Sequence, residues 1–235
     1  MKNSTGRIAA MTVAALISAS GGLWAQEWDE TEKQAGLEAR GEVSVLSSYV
    51  WRGRVLNDEN VVQPYLKVTK NGLGASVWGN FNLTDRITEK NEFSEMDVNL
   101  FYTIASDGAE LTLGIGEYLY PNWTVEVPDE PVEGAAVEEP VTTHTENVRG
   151  TREVYAKYSL PNAFLAPALE VYYDIDEAEG FYVNAMVEHE ISVVKGKFFL
   201  IPGAWFGWAD SDFNTYYYGV DKSTWNDGNA YLNAA

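Results

Sequence analysis

Apolar and polar residues alternate through most of this chain, in runs long enough to decide what it can fold into. Leu73, Ala75, Val77, Gly79, Phe81 and Leu83 fall on one face of such a run, and Gly74, Ser76, Trp78, Asn80, Asn82 and Thr84 on the other. Met96, Val98, Leu100, Tyr102 and Ile104 repeat the pattern against Asp97, Asn99, Phe101 and Thr103. Further runs follow around residues 111–116, 153–160, 169–176 and 181–188. Side chains point to opposite faces along a strand, so this period builds sheets with one apolar and one polar face.

Nine strands are expected near 41–52, 61–70, 73–84, 95–106, 109–120, 151–160, 166–176, 180–192 and 196–209, with a tenth beginning at Asn229. A tilted strand of ~9–11 residues crosses a bilayer, whereas strands of soluble sheets are typically nearer 5–6. Asn71-Gly72, Asp107-Gly108 and Lys195-Gly196 supply tight hairpin turns, the first two being the favoured type I′ pairs. Longer polar connections at 57–60, 85–95, 121–150 and 210–228 largely alternate with them. Short turns on one side and long loops on the other are the habit of membrane barrels.

The expected fold class is therefore all-β: an antiparallel up-and-down transmembrane β-barrel of about 10–12 strands. The chain stops at Ala234-Ala235, inside an apparent strand and without a closing aromatic residue. That suggests C-terminal truncation, with a complete ten-stranded barrel as the alternative. A soluble exported β-protein, such as a lipocalin-like binder, would carry the same alternation with its polar face in water.

Residues 1–25 are expected to be a secretory signal peptide: Lys2 and Arg7 precede a short apolar run from Ile8 to Ile17, and Leu23-Trp24-Ala25 precedes an acidic stretch. Residues 26–40 then form an N-terminal periplasmic segment and 41–235 the barrel, with 121–150 a long acidic external loop. No apolar run approaches the ~20 residues of a spanning helix. The formal net charge of −19 argues against nucleic acid as a partner. The absence of cysteine removes disulfides, Cys-based metal sites and Cys nucleophiles.

Several short motifs occur in order along the strands: Ser48-Tyr49-Val50-Trp51-Arg52-Gly53, Val77-Trp78-Gly79, Glu95-Met96-Asp97, Tyr118-Leu119-Tyr120-Pro121, Arg152-Glu153-Val154-Tyr155 and Tyr172-Tyr173-Asp174. From about Gly41 to the C-terminus the chain resembles the TorF-type porin family. The resemblance implies an outer-membrane barrel assigned as a porin, and brings no established substrate or catalytic residue. The chain departs from the pattern in its long acidic insert and its missing closing strands.

With apolar faces toward lipid, Arg52, Asp97, Asn99, Glu153, Lys157, Glu170, Asp174, Asn184 and Glu188 become the candidate lumen-lining residues. Arg52 would shape the passage or satisfy lumenal carboxylates. Acids outnumber the cations there, so the lumen leans toward cations. Trp51, Trp78, Tyr118, Tyr120, Trp205 and Trp208 are the candidate aromatic girdle. The expected function is a porin-like channel for passive diffusion of small solutes. The alternative is a non-conducting structural or surface-interaction barrel.

Expected partners are outer-membrane lipid, small solutes or cations, and the barrel-assembly and periplasmic chaperone machinery. No enzyme, cofactor or metal site is expected. His144 and His189 have no assignable serine or acid partner, Gly114-Ile115-Gly116 lacks the helix of a phosphate loop, and Asp210-Ser211-Asp212 lacks the Gly and Glu of a calcium loop.

Overall fold

The computed structural model describes residues 13–18, 36–128, 143–195 and 198–234. In chain order these form β1 (Val13–Ser18), β2 (Glu38–Leu46), β3 (Tyr49–Trp51), β4 (Arg54–Asn57), β5 (Val61–Lys70), β6 (Leu73–Asn82), β7 (Phe93–Ser106) and β8 (Ala109–Leu119). They continue with β9 (Thr124–Pro128), β10 (Thr143–Asn147), β11 (Thr151–Ser159), β12 (Ala168–Asp174), β13 (Phe181–Glu188), β14 (Ile191–Val194), β15 (Phe198–Ala209), α1 (Ser211–Tyr218) and β16 (Thr224–Ala234).

One large sheet runs in the order β1-β2-β5-β6-β7-β8-β11-β12-β13-β15-β14, with β16 also paired to β15. Long strands therefore meander, each beside the next long strand in the chain. Their pairing is antiparallel, as the hairpin turns require; β1 alone is parallel, from Val13 opposite Gly41 to Ser18 opposite Leu46. β1 lies within the segment expected to be a signal peptide, and most of that segment falls outside the described residues. Nothing among the described residues pairs β16 with β2, so the hydrogen-bonded ladder is open there.

Several strand limits differ from expectation for visible reasons. The first strand breaks at Ser47-Ser48, and residues 49–57 fold into the separate β3–β4 hairpin. Arg52 and Gly53 form its two-residue turn, both with positive φ (46° and 80°), as a type I′ turn demands. Asn71-Gly72 has the same signature, whereas at Asp107-Gly108 only the glycine is left-handed. The expected strand at 180–192 is β13 and β14 in succession along one side of β15. The segment 121–150, expected as an acidic external loop, contains the β9–β10 hairpin, and its middle lies outside the described residues.

The region read as an irregular loop at 210–228 holds α1 and the start of β16. Asp210 caps the helix, its Oδ1 accepting from the Phe213 N–H at 2.9 Å, and Gly219 ends it in the left-handed conformation (φ 67°). The acidic Asp210-Ser211-Asp212 run is thus a helix start.

Burial across the sheet is the reverse of a soluble protein's. Val43, Val45, Leu66, Leu73, Val77, Val98, Leu100, Ile104, Leu113, Ile115, Leu169 and Val187 are exposed. The opposite face buries Gln63, Ser76, Asn80, Asn82, Ser94, Glu95, Thr151, Glu153, Asp174 and Asn184. Polar groups lose free energy on burial unless paired, and most of these are paired, Asn184 Oδ1 being an exception. Gln63 Nε2 donates to Asn80 Oδ1 at 3.0 Å, Asn80 Nδ2 to Asn82 Oδ1 and Ser94 Oγ, and Asn57 Nδ2 to Asn82 Oδ1.

A row of facing pairs explains how rings fit on that inner face. Gly74 opposes Phe101, Phe101 opposes Gly114, Gly114 opposes Tyr155, and Tyr155 opposes Tyr172. The Phe101 ring lies over Gly74 and the Tyr155 ring over Gly114, so closely that a Cβ on Gly114 would stand 2.3 Å from Tyr155 Cζ. Glycine lets each ring lie flat on the wall instead of projecting inward. Gly114→Val is accordingly expected to cost about 1–3 kcal/mol through overpacking, read as a lower urea midpoint of the folded protein. Gly36→Val, with no atom within 4 Å, should change it by less than about 0.5 kcal/mol. Equal midpoints for both variants would refute the flat-ring packing.

Candidate functional site

The short motifs scattered from residue 48 to residue 174 converge at one place, the inner face near the long connections. Arg52 enters it from the β3–β4 turn. Its Nη1 and Nη2 donate to Glu153 Oε1 and Oε2 of β11 at 2.6 and 2.8 Å, a bidentate pair. Tyr118 of β8 donates to the same Glu153 Oε2 at 2.7 Å. The guanidinium carbon lies 4.6, 4.5, 4.4 and 5.3 Å from the ring centroids of Trp51, Tyr172, Tyr182 and Phe213. Glu153 is 1% exposed. A cation so enclosed is stabilised by its carboxylate and by the ring faces together.

Around this pair the hairpin is held by side chains, because β3 and β4 share no ladder with the large sheet. Tyr49 donates to Glu95 Oε2 at 2.8 Å and packs on Trp78. Trp51 stacks on Phe213 of α1 and packs at a tilt against Tyr217. Arg54 Nη1 donates to the Tyr217 carbonyl at 2.9 Å, and Tyr218 donates to the Arg52 carbonyl. Burial pushes the Tyr218 hydroxyl up to about 12, so it keeps the proton it donates. Gly53 backs onto Asp227 at the start of β16. The sheet therefore curls far enough for its first long strand's extension to touch its last strand.

Asp174 is a structural acceptor, taking Thr151 Oγ1, the Asp176 and Glu177 N–H groups and the Tyr217 hydroxyl. Asp97 faces inward between Trp78 and Tyr118, and its Oδ1 has no hydrogen-bond partner among the described residues. A second cluster lies closer to the short turns. Lys157 Nζ is 3.2 Å from Glu170 Oε1, while Tyr172 and Asn184 donate to Glu170 Oε2. Glu188 accepts from Tyr231 at 3.1 Å, and Asn99 Oδ1 lies against Gly116. All nine expected inner residues thus share one face, in two groups. Arg52 reaches it from a turn folded over the interior, where the end of a strand was expected.

The girdle set needs correction. Trp51, Trp78, Tyr118, Tyr120 and Trp205 do not belong to the outward face. Trp78 and Trp205 are buried on the inner face, Trp51 is inside the aromatic cluster, and Tyr118 reaches Glu153. Tyr120 continues the parity of Tyr118 and packs on Trp123. Trp208 alone stays outward, opposite Val183 and Trp225. Residue parity was the missed signal, since Trp78 shares the period of Ser76 and Asn80. The outward aromatics include instead Tyr173, Phe181, Phe206, Trp208 and Trp225 toward the long connections, and Tyr102 and Tyr158 toward the short turns, with Phe164 exposed in the β11–β12 connection.

Phe213, Tyr217, Tyr218, Tyr182 and Asp227 are further members of the cluster that sequence reading did not single out. An Asp cap and a Gly end spaced across 210–219 were the available helix signal. His144 sits by Glu146 on β10, and His189 by the Phe164 carbonyl.

A family model described as a bacterial protein of unknown function (Gcw_chp) matches residues 30–197. No curated protein matches the chain. No solved structure matches it.

Proposed function

We propose that this chain, which belongs to the Gcw_chp family of bacterial proteins of unknown function, is an outer-membrane β-barrel with a porin-like passage for small solutes that favours cations. The reversed burial carries the reading: paired polar groups inside and a continuous apolar surface outside suit a strand wall standing in lipid. The outward aromatics near both strand ends suit the two membrane–water interfaces. The likeness to TorF-type porins belongs to the same proposal, as do export by a signal peptide and insertion by the barrel-assembly machinery.

Closure follows from the same physics. In hydrocarbon an unpaired strand edge costs several kcal/mol per group. Were a leader carrying β1 removed, the freed edge of β2 would run antiparallel to β16, so direct pairing closes ten long strands and further strands would close more. The carboxyl-rich interior supports cation preference: Glu95, Asp97, Glu153, Asp174 and Asp227 lie at the Arg52 end and outnumber the guanidinium groups of Arg52 and Arg54 there.

The test is single-channel recording of the mature chain, refolded in detergent and placed in a planar bilayer under a salt gradient. Discrete steps with a cation-directed reversal potential are expected, and Glu95→Gln with Asp97→Asn should move that potential toward zero. A folded, heat-modifiable barrel without conductance would end the porin reading. It would favour the second reading, a non-conducting barrel, which the packed Arg52 cluster supports.

A further inference from the structure

We propose that the β3–β4 hairpin is a removable plug, latched over the loop end of the interior by Arg52 and opened when the guanidinium leaves Glu153. The inference rests on the porin reading and adds the part that governs passage.

Four observations carry it. First, the hairpin is its own two-stranded sheet, joined to β2 through Ser47-Ser48 and to β5 through residues 58–60, so it can move without breaking the large ladder. Second, it is packed inside the curl of the sheet: Trp51 meets α1, and Leu56 lies against Leu46, Tyr49, Val61 and Trp78. Third, its one ion pair with the far wall among the described residues is made by Arg52. Among the described residues its hydrogen bonds to β11 come from Arg52, whose guanidinium also faces the Tyr172 and Tyr182 rings of β12 and β13, while Trp51 adds apolar packing against the Tyr182–Phe213 cluster.

Fourth, the backbone beneath that side chain is chosen against local preference. Arg52 has φ 46°, in a turn position where Asn or Gly is the ordinary choice. Non-glycine residues in such conformations persist where the surroundings over-determine them, often at clamps and switches. The guanidinium's fit to Glu153 and four rings is that over-determination. It explains why a residue poorly suited to the turn occupies it.

The strain also supplies a clean test. Arg52→Asn removes the latch and improves the turn; Glu153→Gln removes the charge it grips; the double variant leaves no orphaned charge. Each is refolded in detergent, checked for heat-modifiability, and recorded in planar bilayers. Since the chain has no cysteine, Leu56→Cys placed in each background reports hairpin opening by its reaction with a membrane-impermeant thiol reagent.

The latch variants are expected to conduct for a larger fraction of time. They should also label at least about tenfold faster, the factor that ~1.4 kcal/mol of lost closure gives. Folded variants that conduct and label like the parent overturn the plug. Faster labelling without conductance in any protein supports the moving hairpin and ends the porin reading. If Arg52→Asn does not fold, the double variant decides by the same two readouts.

Discussion

Leu100→Arg is expected to prevent stable insertion of the protein into lipid vesicles. Leu100 sits midway along β7 and is 57% exposed on the outward face, opposite Ala75 and Ile115. At the midplane of a bilayer an outward Arg costs about 2–4 kcal/mol. In water the same exposed replacement would be within about 0.5 kcal/mol of neutral. The environment therefore decides the sign and size of the effect. Glu89→Arg, on the exposed connection between β6 and β7, serves as the control and should insert normally. The readout is the heat-modifiable fraction after folding into vesicles, together with its urea midpoint. Insertion of Leu100→Arg indistinguishable from the parent would remove the membrane reading and return the exported soluble β-protein.

The second large effect concerns the buried pair. Glu153→Ala leaves the Arg52 guanidinium enclosed by rings with its carboxylate gone, and is expected to cost about 3–5 kcal/mol of unfolding free energy. Arg52→Met with Glu153→Met should cost far less, because no charge is then stranded. A double-mutant cycle measured by urea unfolding in detergent micelles isolates the coupling. A single-variant cost under about 1 kcal/mol would mean that water reaches the pair, as at an exposed ion pair. This measurement reads stability, and the conductance and labelling tests of the plug read opening.

Much of the wall was legible because alternation is a local property. β5, β6, β7, β8 and β11 fall within two residues of the expected limits, since each run repeats at the pitch that turns its side chains to alternate faces. Asn71-Gly72 fixed the β5–β6 register with its two left-handed residues. The inward acids were legible for the same reason, by parity alone. The aromatics were misread where a belief about interfaces overrode that parity, at Trp78 and Trp205.

The interior was beyond local pattern. Tyr49-Val50-Trp51 continues the alternation of β2, and nothing in that stretch alone says that Ser47-Ser48 breaks it. The break pays off only once Glu153, Tyr172, Tyr182 and Phe213 stand around Arg52, at sequence separations of 101 for the Arg52–Glu153 pair and more for Phe213. α1 is similar: eight residues make a marginal helix alone, and Phe213, 0% exposed, is held by Tyr182 and Trp51.

By itself, then, the sequence determined a meander of strands with one apolar and one polar face, because side-chain alternation acts within each strand. Which face is buried, where the hairpin folds and whom Arg52 meets were decided by the tertiary structure. Those outcomes depend on the sheet's curl bringing distant strands together, and on burial making an unpaired charge too costly to leave.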